Sequence, residues 1–131
     1  MCYFIYGSLY GDIDKDKYDA ISAKYEYKIR LGTKHAVKMA VKNEAADYRV
    51  TNWCCDCDGP ICGKNKDNDE LLQYEALFNE IKNLKGVKHI YFCKTWAGSI
   101  NKREITVDLK NTDIRTALAE MNENNLYTFV F

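Results

Sequence analysis

The sequence predicts a mixed α+β domain: a single sheet of about six strands, partly antiparallel, with three to four helices, in the order β-α-β-α-β-α-β-β-α-β. Three observations carry this reading. Short apolar runs, several with period-two alternation, are interleaved with longer segments of helical period, so strands and helices follow one another. The β-prone runs Val87 to Lys94 and Ile105 to Leu109 have no helix between them, which implies at least one antiparallel pair. Apolar residues extend from the first strand to the last in a chain of 131 residues, the size of one ordinary domain, so residues 1–131 are read as a single globular unit.

Cys2 to Leu9 is an apolar, aromatic first strand that runs into a loop at Gly11-Asp12. Asp14 caps a helix from Lys15, with Tyr18, Ile21 and Tyr25 on its inner face. Tyr27, Ile29 and Leu31 alternate with Lys28 and Arg30 as a half-buried strand does, up to Gly32. Residues 34–45 fit both periods. Val37, Met39 and Val41 alternate, yet Ala36, Val37, Ala40, Val41 and Ala45 form one helical face behind a Thr33 cap, and helix is preferred. Tyr48 to Trp53 reads as a strand entering a cysteine-dense loop, Cys54 to Lys66, with a turn at Gly59-Pro60. Leu71, Leu72, Tyr74, Leu77, Phe78, Ile81 and Leu84 mark the next helix, closed by Gly86. The two β-prone runs then form an expected hairpin through Thr95 to Ser99, with Asn101 to Arg103 at a polar tip. Thr112 caps a last helix carrying Ile114, Leu118 and Met121, and Leu126 to Phe131 is the terminal strand.

Lys plus Arg and Asp plus Glu number 19 each, so no global field draws the chain to nucleic acid or an anionic membrane. No apolar run approaches the roughly 18 residues that span a bilayer. The first residues lack a basic region ahead of their apolar stretch and a small-residue cleavage site, so a cytoplasmic location is expected. Under those reducing conditions the six cysteines are read as thiols or metal ligands, not as a disulfide framework.

The densest feature is Cys54-Cys55-Asp56-Cys57-Asp58-Gly59-Pro60-Ile61-Cys62. Zinc takes four thiolate or imidazole ligands in a tetrahedron, and cysteines close together on a turn supply several at low entropic cost. A closed site would draw on Cys55, Cys57 and Cys62, with Cys93, Cys54 or His89 as the fourth ligand. The spacing matches no standard zinc ribbon or finger, and small side chains packed at a strand end are the plainer reading. No Cys-x-x-Cys stands at a helix start, which disfavours thioredoxin-like chemistry.

Two turns suit an anion better, because each combines a glycine, a hydroxyl and backbone N–H groups. The first is Gly32-Thr33-Lys34-His35. The second is Thr95 to Ser99, where Gly98 and Ser99 follow Trp96, a ring able to stack on a flat ligand, with Arg103 near to neutralise phosphate. The alternative for both is a capped helix and a bend with Trp96 in the core. His89 and Cys93 share a strand face about 13 Å apart, too far for a catalytic dyad.

Asp12-Ile13-Asp14-Lys15-Asp16 opens like an EF-hand loop, but Lys17 and Ala23 stand where that loop needs its glycine and its bidentate glutamate. Tyr6-Gly7-Ser8-Leu9 resembles the opening turn of gamma-glutamylcyclotransferase-like proteins, in which a strand delivers a substrate-holding loop. The match ends with those four residues and assigns no catalytic glutamate.

The expected function is therefore non-catalytic binding of a small phosphate-containing molecule such as a nucleotide, through Thr33, Lys34, His35, Trp96, Gly98, Ser99 and Arg103. A phage-type sequestering protein is one form such a binder takes. The alternatives are a protein-interaction module or inhibitor with a zinc-stabilised cysteine loop, and a thiol- or metal-dependent enzyme. A homodimer or a protein partner is compatible with all three.

Overall fold

A computed structural model describes residues 2–131. Its one sheet has five strands: β1 (Tyr3–Gly11), β2 (Arg30–Leu31), β3 (Val87–Trp96), β4 (Arg103–Asp108) and β5 (Asn125–Val130), in the spatial order β2-β1-β3-β5-β4. The helices are α1 (Lys15–Ser22), α2 (Lys34–Lys42), α3 (Leu71–Lys82) and α4 (Ile114–Ala119), with a 3-10 turn at Ala46–Tyr48. The mixed α+β class follows directly from this arrangement.

Alternation along β1 and β3 sends side chains to two different cores. Ile5, Leu9, Ile90, Phe92 and Phe129 face α3 and α4, meeting Leu77, Phe78, Ile81 and Leu118. Tyr6, Tyr91, Cys93 and Leu126 face the other way, where Val37, Ala40 and Val41 of α2 cover them. Residues 34–42 are thus a helix, started by Thr33, whose Oγ1 accepts the Ala36 N–H at 3.2 Å. The apolar face that fits helical period is the one that is buried, while Met39, the residue favouring a strand, stays exposed.

Three local expectations are corrected. The stretch from Tyr27 alternates in burial, but only Arg30 and Leu31 join the ladder, parallel to β1. Tyr27 is instead held by its ring, stacked on Tyr74 at 3.7 Å. Tyr48 to Trp53 is no continuous strand: after the 3-10 turn it makes one bridge, Arg49 to Tyr6, and the Val50 N–H donates to Ile5 O. The expected hairpin does not exist. β5 inserts between β3 and β4, antiparallel to the first and parallel to the second, with α4 as the crossover that a parallel pair needs. Asn124, in the left-handed region at φ 67°, ties the crossing together: its N–H donates to Lys94 O, its carbonyl accepts from Lys102 N–H, and its side chain accepts the Trp96 N–H.

Tyr6-Gly7-Ser8-Leu9 lies inside β1 and makes no turn, so the fold gives that resemblance no substrate loop. A Cβ on Gly7 would meet the Phe92 ring at 3.0 Å, which accounts for a glycine there by packing. No helix of the described residues is long and apolar enough to cross a membrane.

Candidate functional site

The segment between the 3-10 turn and α3, residues 49–70, has neither helix nor strand. Loops of this length within a compact domain are uncommon and tend to carry function. This one is built as firmly as the sheet. Asp56 is fully buried; its N–H donates to Tyr3 O, Oδ2 accepts the Ile5 N–H at 2.9 Å, and Oδ1 accepts the Thr51 hydroxyl at 2.6 Å. Lys94, beside Ile5 in the β1–β3 register and 2% exposed, reaches up from the sheet to the carbonyls of Cys57 at 3.2 Å and Ile61 at 3.0 Å. Ile61 is buried in the α3–α4 core, and the N–H groups of Cys62 and Lys64 donate to Leu118 O and Ala119 O. A buried charge costs several kcal/mol unless its hydrogen bonds are satisfied. Here both charges are directed at the loop's backbone or its contact with β1, so their burial fixes the loop's path.

That path brings Cys55 and Cys57 against Cys2, just ahead of β1. The three Sγ atoms lie within 4.8 Å of one another, two of the thiols half-buried and Cys57 exposed. The Tyr3 N–H donates to Cys57 Sγ at 3.4 Å. The Cys57 N–H, the Cys57 thiol and the Cys2 thiol all favour charge on Cys55 and hold it below the ordinary thiol value. Cys2 is pushed up, first by its hydrogen bond to Cys55. Three soft donors within 4.8 Å of one another can converge on one metal ion, tetrahedral zinc–thiolate bonds of about 2.3 Å putting the ligand sulfurs about 3.8 Å apart.

The expected ligand set is therefore only half assembled. Cys55 and Cys57 are together, but Cys62 and Cys93 are core residues, 6% and 0% exposed, and burial pushes both thiols up to about 12. Cys62 packs on the α3–α4 side and Cys93 beneath α2. Cys54 is exposed and outside the group, and His89 lies on the α2 face of β3. Cys2 was not signalled by spacing at all; its one cue is position at the head of a strand whose edge the loop covers.

The two anion turns do not meet. Thr33 begins α2, whereas the Gly98 N–H donates to Val41 O near its far end, a helix of nine residues or roughly 13 Å away. Most of their donors already have partners. The Gly32 N–H donates to Leu9 O, the Ser99 hydroxyl to Trp96 O at 2.9 Å, and Lys34 pairs with Glu104 at 2.8 Å. Trp96 stacks on Tyr3 at 4.0 Å. His35 and Arg103 are exposed at separate places, one on α2 and the other opening β4. The two turns therefore stand at opposite ends of α2.

Comparisons with protein-family models, curated proteins and solved structures gave no match. Fold and site define the class: an α+β domain whose sheet carries a pinned loop with three clustered thiols.

Proposed function

We propose that this chain is a metal-stabilised interaction module. Cys2, Cys55 and Cys57 hold one zinc ion that fastens the loop to the head of β1, and the stiffened loop surface around exposed Trp53 and Cys54 meets a protein partner. The observation that carries this reading is the thiol cluster on a backbone fixed from beneath by Asp56 and Lys94. Bound zinc supplies charge neutralisation and a cross-link between segments that chain connectivity leaves independent. A rigid loop bearing an exposed tryptophan suits recognition, because little side-chain freedom is lost on contact.

Native mass spectrometry of the purified chain, set against its denatured mass, tests this. An excess matching one zinc, lost in Cys57→Ser, is the expected result; a chain that takes up no zinc from a reducing buffer sinks the metal reading.

A second reading, binding of a small anionic molecule, is favoured by one feature of the α2 face. Tyr10, His89 and Tyr91 lie with ring centroids 5.7 to 6.4 Å apart, Tyr91 at the margin of the core under α2, and the buried His89 Nδ1 has no hydrogen-bond partner. Lys34 is near enough to oppose the burial that pushes the Tyr91 hydroxyl up. Titration with nucleotides followed by the amide spectrum of β3 tests it. Shifts at His89 and Tyr91 that vanish in Lys34→Ala support this reading; no shift with any nucleotide removes it.

A further inference from the structure

We infer that Cys2 and Cys55 form a peroxide-sensitive pair that closes to a disulfide, joining the head of β1 to the cysteine loop. The inference rests on thiol geometry alone and stands whether or not the cluster takes a metal. A disulfide needs sulfurs about 2.05 Å apart on Cα atoms roughly 4.4 to 6.8 Å apart. The Cys2 and Cys55 Sγ atoms lie within 4.8 Å of each other, and the contacts of Asp56 with Tyr3 and Ile5 place the two backbone segments side by side.

The pairing follows from what surrounds each sulfur. The Sγ atoms of Cys2, Cys55 and Cys57 all lie within 4.8 Å of one another. A Cys55–Cys57 bond would close a small ring across one intervening residue, and that residue, Asp56, is locked by its contacts with Tyr3, Ile5 and Thr51. Cys57 Sγ is already engaged by the Tyr3 N–H. Cys2 is the remaining partner, and it comes from a distant segment free of that ring constraint. Cys62 and Cys93, at 6% and 0% exposure, lie out of an oxidant's reach.

The chemistry balances with a hydroperoxide as the named oxidant. The Cys55 thiolate attacks one peroxide oxygen, the O–O bond breaks, and the second oxygen leaves as water or alcohol once protonated. The Cys2 thiol then attacks the Cys55 sulfenic sulfur. An S–S bond forms, the S–O bond breaks, and hydroxide leaves as water with the proton that Cys2 gives up. Each peroxide accepts the electron pair that the two thiols lose.

The test uses the full chain, reduced, stripped of metal by a chelator and treated with stoichiometric hydrogen peroxide, then digested with trypsin without reduction. The expected product links peptide 1–15 to peptide 50–64, forms in wild type and in Cys57→Ser, and is lost in Cys55→Ser. A cross-link that forms at the wild-type rate in Cys55→Ser overturns the assignment, as does oxidation that never joins those two peptides. Zinc uptake measured on the untreated chain separates the two ideas. Zinc binding without the cross-link overturns this inference and leaves the metal site, whereas the cross-link without zinc binding supports it and removes the metal site.

Discussion

Asp56 Oδ2 accepts the N–H of Ile5 at 2.9 Å across 51 residues of chain, and both residues are fully buried. This contact stands where a sixth strand would otherwise pair with the start of β1. It satisfies one strand donor with a side chain while leaving the loop free to turn and present Cys55 and Cys57.

Replacing that carboxylate should therefore do more than loosen a loop. In Asp56→Ala the Ile5 N–H and the Thr51 hydroxyl lose their acceptor in a dry site, where an unsatisfied polar group costs about 1–3 kcal/mol. We expect a loss of about 3 kcal/mol in urea unfolding. Cys55 and Cys57 should also react faster with a thiol reagent in the folded protein. A loss under about 0.5 kcal/mol would show that Ile61 and Lys94 hold the loop unaided.

Tyr74 tests the opposite case. It is fully buried, its ring stacks on Tyr27, and its hydroxyl has no hydrogen-bond partner. Tyr74→Phe removes an unsatisfied group and keeps the stack, so stability should stay within about 0.5 kcal/mol or rise. Tyr74→Ala should cost about 3–5 kcal/mol through lost burial and a cavity. A large loss in Tyr74→Phe would mean that the hydroxyl has a partner in solution.

How much of this was legible in the sequence depends on the range of the interaction. Caps and helical faces are local: α1 and α2 start at Asp14 and Thr33 as their neighbouring residues predict, and α4 starts one residue past the expected Thr112, with Asp113 as its cap. Strand partners are not local. Val87 to Trp96 and Arg103 to Asp108 look like a hairpin because nothing in their own pattern announces that β5 will lie between them. The cysteine loop shows the same limit. Cys55 and Cys57 were legible as a pair, but Cys2 joins them only because buried Asp56 docks the loop on β1. Nothing in the neighbouring residues marks Asp56 as the group that bonds the β1 backbone.

The position of β5 has a mutational consequence. Phe129 lies at 0% exposure on an interior strand, bonded to β3 on one side and β4 on the other, and meets the rings of Phe78 and Phe92. Phe129→Ala should cost about 3–5 kcal/mol. Glu104→Gln on the neighbouring edge strand should cost under about 1 kcal/mol, although Glu104 pairs with both Lys34 and Lys38, because those groups are some 40% exposed and solvent screens them. If the two variants cost the same in urea unfolding, β5 is not interior.

The buried thiols set the behaviour in alkali. Burial raises Cys62 and Cys93 from 9.0 to about 12, so both stay protonated in the folded chain where an unfolded chain has already ionised. A thiol raised on folding contributes nothing below about pH 9, where both states hold the proton. From pH 9 towards 12 the unfolded state binds fewer protons than the native one, and stability falls by up to about 1.4 kcal/mol per pH unit for each thiol. Tyr18, raised from 10.0 to about 12 by burial, adds to the fall above pH 10. Urea midpoints taken between pH 8 and pH 10 should therefore drop steeply beyond about pH 9. Cys93→Ala should start from a lower midpoint because of its cavity, yet lose stability with pH more gradually than wild type, since one of the titrating groups is gone. An unchanged slope in that variant would assign the alkaline instability to other groups and place the Cys93 thiol within reach of water.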